Sequence, residues 1–362
     1  MKQVRKDFPV LQRYLYANTA SAGLLSEPLM TWRQEHDLDF LIGGSNFKTK
    51  ATQELLPQVK ETVASFFGSK LENTALVQSF SLALNILLEG LSKNEKVLLV
   101  KDDYPSVNWP FESRDFTIDY AILDANVEDH ILKKLETGSF GVLALSLVQW
   151  ASGIKIGLPF LREVKKAYPN LLIIVDGTQF CGTADFNFEA APIDVLGASA
   201  YKWLISGYGN GFMLFKDGIE ERFHLKTLGF YASNGNLEGK NTIPFCKHFE
   251  PGHLDTLNFG SLKFSLEYLE KIGLETIESH LKKLSLKSME GLKEMNLLST
   301  EIVSRKEQST IFNIPGNEAY LKKLESKDLV CSHRGNGIRL SFHFYNTEED
   351  VEETLKILQS TS

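Results

Sequence analysis

The chain has 362 residues, 43% of them apolar, with 39 basic against 46 acidic side chains and a net charge of −7. At about 150 residues per domain it holds two domains or three and can bury a large core, and its acid excess argues against nucleic acid or an anionic membrane as main partner. Cys181, Cys246 and Cys331 are widely spaced without a C-x-x-C, which argues against a disulfide framework or a structural zinc. The N-terminal MKQVRKDFPVLQRYLY lacks the apolar run of a signal peptide, and no segment approaches the roughly 20 apolar residues of a membrane span. A reduced, cytoplasmic enzyme is the expectation.

In chain order, the segment up to Gly44 reads as irregular. A helix reaches Phe67, with Pro57 tolerable only near its first turn; Val59, Val63, Phe66 and Phe67 form one stripe before Gly68 stops it. Ser81–Glu89 reads as a second helix. Val97–Val100, Val142–Val148, Leu171–Val175 and Phe212–Phe215 suit buried strands, with a helix near Leu158–Tyr168 halted before Pro169. Strands separated by helices indicate βαβ units and a largely parallel sheet. A long helical stretch, Leu262–Leu297, is breakable at Gly273 and Gly291. A strand–turn–strand region follows, then a last helix with Thr347 as N-cap and Asp350 three residues on. The predicted architecture is α/β: a mainly parallel central sheet sandwiched by helices, with a smaller α+β domain drawing on both chain ends. The predicted units are 1–45, packing on the others, a large domain over 46–255, and a small one over 256–362.

The most informative stretch is LLIIVDGTQFCGTADFNFEAAPIDVLGASAYKWLISGYGNGFMLF, residues 171–215. An apolar strand ends in Asp176, with Gln179 three positions later, and in open α/β sheets ligands sit at the carboxyl ends of strands. Taken alone, Asp176 reads as a turn or N-cap residue. Lys202 lies in Ser199–Ala200–Tyr201–Lys202–Trp203, before Gly207–Tyr208–Gly209–Asn210–Gly211. A lysine among aromatics is costly to keep charged and tends toward the neutral, nucleophilic amine that Schiff-base chemistry needs. A single lysine more often snorkels to the surface. The combination is much rarer than its parts.

On these residues the chain resembles the class V aminotransferase family, which includes cysteine desulfurases, selenocysteine lyases and kynureninase-like enzymes and binds pyridoxal phosphate (PLP). The likeness runs from Tyr16–Ala17–Asn18–Thr19–Ala20 to Tyr345–Asn346–Thr347, and its specific core is Asp176-x-x-Gln179 with Lys202. It implies the PLP-dependent transferase fold. It implies that Lys202 holds the cofactor as a Schiff base and then acts as general base on the substrate Cα proton, that Asp176 pairs with the pyridine nitrogen, and that Gln179 donates toward the ring hydroxyl. Ser199 and Tyr201 match positions touching the phosphate. Ser79, Phe80 and Ser81 match the phosphate loop at a helix N-terminus, where plain N-capping is an equal reading. Tyr104 matches the ring that stacks on the pyridine, or is a rim tyrosine. Gln149 falls near a polar position on the cofactor, with Trp150 the alternative if the alignment shifts by one. His253 matches a residue sent to the neighbouring subunit's phosphate, which implies a homodimer with shared sites, or is a surface histidine. Arg339 matches the arginine gripping the substrate α-carboxylate. Arg334, near a second arginine of some relatives, reads as readily as a surface ion pair, and Asn18 joins the substrate set.

The resemblance therefore implies an enzyme acting on an amino acid, with an oxo acid as co-substrate if it transaminates. An aminotransferase is the leading reading, and a lyase or epimerase the alternative. Cys331 precedes Arg334 on a very short loop, unlike a mobile sulfur acceptor, so little or no cysteine desulfurase activity is expected. Gly207-x-Gly209-x-Gly211 as a dinucleotide loop, in a non-catalytic phosphate or nucleotide binder, lacks the spacing and the downstream acid.

Overall fold

The computed structural model describes residue 1 and residues 3–361. Strand β1 (Leu15–Tyr16) and helices α1 (Glu27–Lys50) and α2 (Leu56–Phe67) come first. Strands and helices then alternate: β2 (Thr74–Val77), α3 (Phe80–Gly90), β3 (Lys96–Val100), α4 (Pro105–Glu112), β4 (Thr117–Ala121), α5 (Val127–Thr137), β5 (Val142–Ser146), α6 (Leu158–Ala167) and β6 (Leu172–Asp176). Next come β7 (Val195–Ser199), β8 (Gly211–Phe215), α7 (Thr256–Ile272), α8 (Leu274–Glu294) and α9 (Thr300–Ser304). The chain closes with β9 (Ile311–Pro315), α10 (Glu318–Glu325), β10 (Leu329–Val330), β11 (Ser332–Arg334), β12 (Gly337–Ser341) and α11 (Glu348–Thr361). Among the described residues no helix is long and apolar enough to cross a membrane.

The large sheet has the order β2–β8–β7–β6–β5–β3–β4. Strand β8 runs antiparallel to both its neighbours and the other pairs are parallel. Apart from the edge strand β4, its strands are buried on both faces, as strands sandwiched between layers of helix must be. Alternate residues feed two cores: Leu98, Leu143, Ile173 and Leu196 pack with α2, α6 and α7, while Leu99, Ala144, Ile174 and Val195 pack with α3 and α4.

Four strands match the apolar runs of the sequence, and β2, β4 and β7 do not. β4 is an edge strand with a partly exposed Asp119 and Tyr120. In β7, Gly197 breaks the apolar run because a Cβ there would lie 2.2 Å from Met213 Sδ. Helix α1 also departs from expectation. It buries only Leu29 and His36 among its described side chains, so it has no apolar stripe to betray it. It kinks at Gly44 (φ 52°), and a single π turn, Ala51–Leu55, joins it to α2. Gly273 (φ 90°) separates α7 from α8 as predicted, but α8 runs straight through Gly291, where the missing Cβ makes room for Leu355.

A smaller sheet, β11–β12–β9, is antiparallel, and β1 pairs in parallel with β10, so the first strand of the chain is completed by residues three hundred positions later. Arg5 donates to both oxygens of Asp350 at 2.6 and 3.1 Å. Thr347 and Asp350 cap α11 reciprocally, as the sequence pattern indicates.

Phe67, its ring tilted 33° against Phe212 with centres 4.5 Å apart, anchors α2 on the sheet. Phe67→Ala is expected to cost about 3–5 kcal/mol of unfolding free energy, read as a lower denaturation midpoint in urea at unchanged slope.

Candidate active site

The strands meet at one edge of the sheet, where their carboxyl ends carry the residues singled out above. β6 ends in Asp176, β5 in Ser146, β3 leads to Asp103 and Tyr104, and β7 leads through Ser199 to Tyr201 and Lys202. β2 runs into the N-terminus of α3. The edge forms a narrow cleft lined by Tyr104, Trp150, Asp176, Thr178, Gln179 and Lys202 among others.

Asp176 and Lys202 are each only 5% exposed. Burial raises the Asp176 pKa, against the pull of the Thr178 hydroxyl and amide and of the Lys202 charge; its Oδ1 accepts from Thr178 N at 2.8 Å. Burial drives Lys202 well below the ordinary lysine range; Asp176 opposes this shift, while Arg339 and Arg334 add to it. Lys202 Nζ lies 5.3 Å from the Tyr104 ring centre and 5.5 Å from that of Tyr201, and makes no hydrogen bond to another described residue.

Gln179 is held on both sides: Nε2 donates to Ala20 O at 3.0 Å, and Oε1 accepts from Trp203 Nε1 at 2.6 Å. One Nε2 hydrogen remains for a ligand. Tyr104 sits just before α4 and meets Trp150 edge to face at 5.8 Å. Gln149 lies behind this wall, fully buried, donating to Asp103 Oδ2 and Ser146 O, each at 3.2 Å. Trp150 therefore lines the cleft, while Gln149 is turned back onto Asp103.

At the other end, Ser79 caps α3, its Oγ accepting from Leu82 N at 3.3 Å; Phe80 N donates to Ser199 Oγ at 3.0 Å, and Ser81 occupies the first turn. Tyr201 stacks on Tyr208 at 4.6 Å.

Arg339 is 2% exposed, yet no carboxylate among the described residues pairs with it. Nη1 donates to Trp150 O and Nη2 to Ser21 Oγ, both at 2.7 Å, while Nε is buried without a partner. Burial and the neighbouring Arg334 lower its pKa to about 10, so it stays charged at neutral pH. Arg334 makes no ion pair among the described residues: it donates to His333 O and, at 3.5 Å, to the same Ser21 Oγ. Asn18 bridges to Ser341 on β12, and its Oδ1 is buried without a partner. His253 is not brought into this cleft. It is exposed, stacks on Phe230, and lines a separate groove of about 870 Å³ beside α2.

Sequence reasoning passed over Asp103, Thr178, Ser21 and Trp203. Asp103 is buried and accepts from Tyr104 N (2.6 Å), Ser146 N (2.7 Å) and Gln149; burial raises its pKa. It was findable as an acid just past an apolar strand, the same signal that marks Asp176. Thr178 takes the Ser199 amide on its Oγ1 at 3.0 Å. Cys331 is 6% exposed between β10 and β11, and burial pushes its thiol up to about 12. The Gly207–Gly211 segment leads into strand β8 and opens no helix, so the phosphate anchor of a dinucleotide loop is missing there.

Residues 42–354 match the family model described as aminotransferase class-V, and the chain belongs to that family. It is 23% identical to an uncharacterized aminotransferase, YcbU, of Bacillus subtilis over 98% of this chain and 96% of the relative. It is 24% identical to a probable cysteine desulfurase of Pyrococcus abyssi over 99% and 96%. Among solved structures it superposes on the cystine C–S lyase C-DES in complex with cysteine persulfide, with a TM-score of 0.88, 18% identity, and coverage of 97% and 98%. A mutant of C-DES has been solved with glycine covalently linked to its PLP cofactor.

The depressed Lys202 pKa predicts that an amine-reactive reagent labels the cofactor-free protein at Lys202 with a rate that levels off well below the 10.5 of an ordinary lysine. Mass spectrometry of the Lys202 peptide across pH checks this; a rate still rising past pH 10 refutes it.

Proposed function

We propose that the protein is a PLP-dependent enzyme acting on an amino acid, with transamination to an oxo acid as the leading reaction. The observation that carries this reading is Lys202: a buried amine with no hydrogen-bonding partner among the described residues, close enough to the buried Asp176 carboxylate and the Arg339 guanidinium for both charges to act on it.

The residues fit the cofactor. Lys202 Nζ suits an aldehyde, Asp176 a protonated pyridine nitrogen, the spare Gln179 N–H a ring hydroxyl, and the Tyr104 face the ring. The α3 N-terminus, with Ser79, Phe80 and Ser81, and with Ser199 and Tyr201 beside it, suits a phosphate. Trp150, rather than Gln149, is the neighbour on the cleft side. When bound, the cofactor supplies an electron sink for the bond broken at the substrate Cα.

The protein's own part is electrostatic and positional. Asp176 would hold a proton on the pyridine nitrogen. Lys202 Nζ, its pKa lowered by burial to about 8, would take the Cα proton and return it; where it returns decides the product. Arg339 orients the substrate carboxylate, with Asn18 and Arg334 beside it, and Tyr104 and Trp150 keep water from the cleft. We assign the cofactor to the unit 46–255 and the substrate arginines to 256–362. We further propose a cytoplasmic homodimer in which His253, exposed at its own groove, serves the partner subunit's phosphate.

A lyase is the second reading, favoured by the C–S lyase and probable desulfurases among the similar proteins. Relay of sulfur through a cysteine is disfavoured, because the thiolate is the nucleophile and Cys331 is buried and protonated.

Added PLP is expected to give a visible absorbance band that shifts on titration with amino acids and is lost in Lys202→Ala; its survival unchanged in that variant refutes the assignment. Asp176→Ala is expected to lower turnover by about 10²- to 10³-fold with the band retained. Cys331→Ala should leave any sulfide release from cysteine unaltered, and its abolition would restore the desulfurase reading.

A further inference from the structure

Two guanidiniums converge on one hydroxyl with no acid to balance them. Ser21 Oγ accepts from Arg339 Nη2 at 2.7 Å and lies 3.5 Å from Arg334 Nη2. Neither arginine has a carboxylate partner among the described residues, and Arg339 Nε is buried and unsatisfied. Each lowers the affinity of nearby groups for protons: both appear among the charges that depress Lys202, and Arg334 among those that depress Arg339. Like charges held this close in a part-buried cleft destabilise the ligand-free protein unless an anion completes it.

One carboxylate suffices for Arg339. Displacing the Ser21 hydroxyl, it would meet the Nε–Nη2 edge of the fork side-on, which is the bidentate arrangement a guanidinium prefers. That leaves Arg334 unspent. Among the described residues its Nη1 donates to its own neighbour, His333 O, at 2.8 Å, while its Nη2 reaches Ser21 Oγ rather than an acid. The turn Gly335–Asn336, with Gly335 at φ 58°, holds Arg334 and Arg339 on facing, adjacent strands, the register pairing Arg334 with Gly337 and Ser332 with Arg339.

We propose that the substrate is an amino dicarboxylate: Arg339 takes the α-carboxylate and Arg334 the side-chain carboxylate, so that two anions neutralise two cations. This rests on the reading of the cleft as an amino-acid site and names the class of amino acid it selects. A neutral side chain would leave Arg334 with no anion to meet, and a cationic one would be repelled.

The test uses the PLP-loaded protein. Titration of the visible band should show aspartate or glutamate binding or reacting at least tenfold more effectively than asparagine or glutamine. Calorimetry should show succinate or glutarate binding more tightly than butyrate by a similar factor, the range of one charge-assisted hydrogen bond. Arg334→Gln should shrink the dicarboxylate-to-amide ratio by roughly tenfold to a hundredfold, and Arg334→Lys should restore part of it. Equal preference for acids and amides in the unmodified protein, or an equal loss for both in Arg334→Gln, overturns the inference while a normal band leaves the cofactor reading standing. Absence of the band overturns both.

Discussion

The structure depends on the burial of two opposite charges, Asp176 and Lys202, at the carboxyl edge of a sheet whose strands are otherwise apolar. Neither charge is cheap in such a place, and each favours the ionised form of the other. The surroundings are arranged to tolerate them: Thr178 satisfies one carboxylate oxygen, Trp203 and Ala20 fix Gln179, and two tyrosine faces flank the amine. A purely structural edge would have filled this space with leucine and phenylalanine, as the rest of the sheet does. Keeping a poised amine and acid there costs stability, which the two large cores on either face offset.

A second buried acid shows how far the arrangement extends. Asp103 ties the Tyr104 amide, the end of β5 and the Gln149 side chain together. The two aromatic residues that wall the cleft, Tyr104 and Trp150, thus sit on segments joined through one carboxylate. Their mutual edge-to-face contact depends on that joint as much as on the rings themselves.

Much of this was legible in the sequence, for physical reasons. Strands buried on both faces write themselves as unbroken apolar runs, which is why β3, β5, β6 and β8 stood out. β4, at the exposed edge, and β7, interrupted by Gly197, carry no such run. Helix α1 was invisible because little of it is buried, and apolar period is only a record of burial. At the site, Asp176, Gln179 and Lys202 were readable from strand position and family likeness together. The Gln149–Trp150 register was not, because which side chain faces the cleft depends on how Gln149 folds back on Asp103. Ser21 was beyond reach. Its role comes from a contact with Arg334 and Arg339, more than three hundred residues away.

That separation bears on the order in which the molecule can assemble during synthesis. The strand β1 and Ser21 leave the ribosome early, and they wait unpaired for β10 and β12, which follow some three hundred residues later. The Asp176–Lys202 edge needs only the middle of the chain, so the cofactor half of the site can take shape first. The substrate arginines close over it only when the two ends meet. A nascent or truncated chain would thus expose a reactive amine without the groups that choose what reaches it, and completion of the chain is itself the step that confers selectivity.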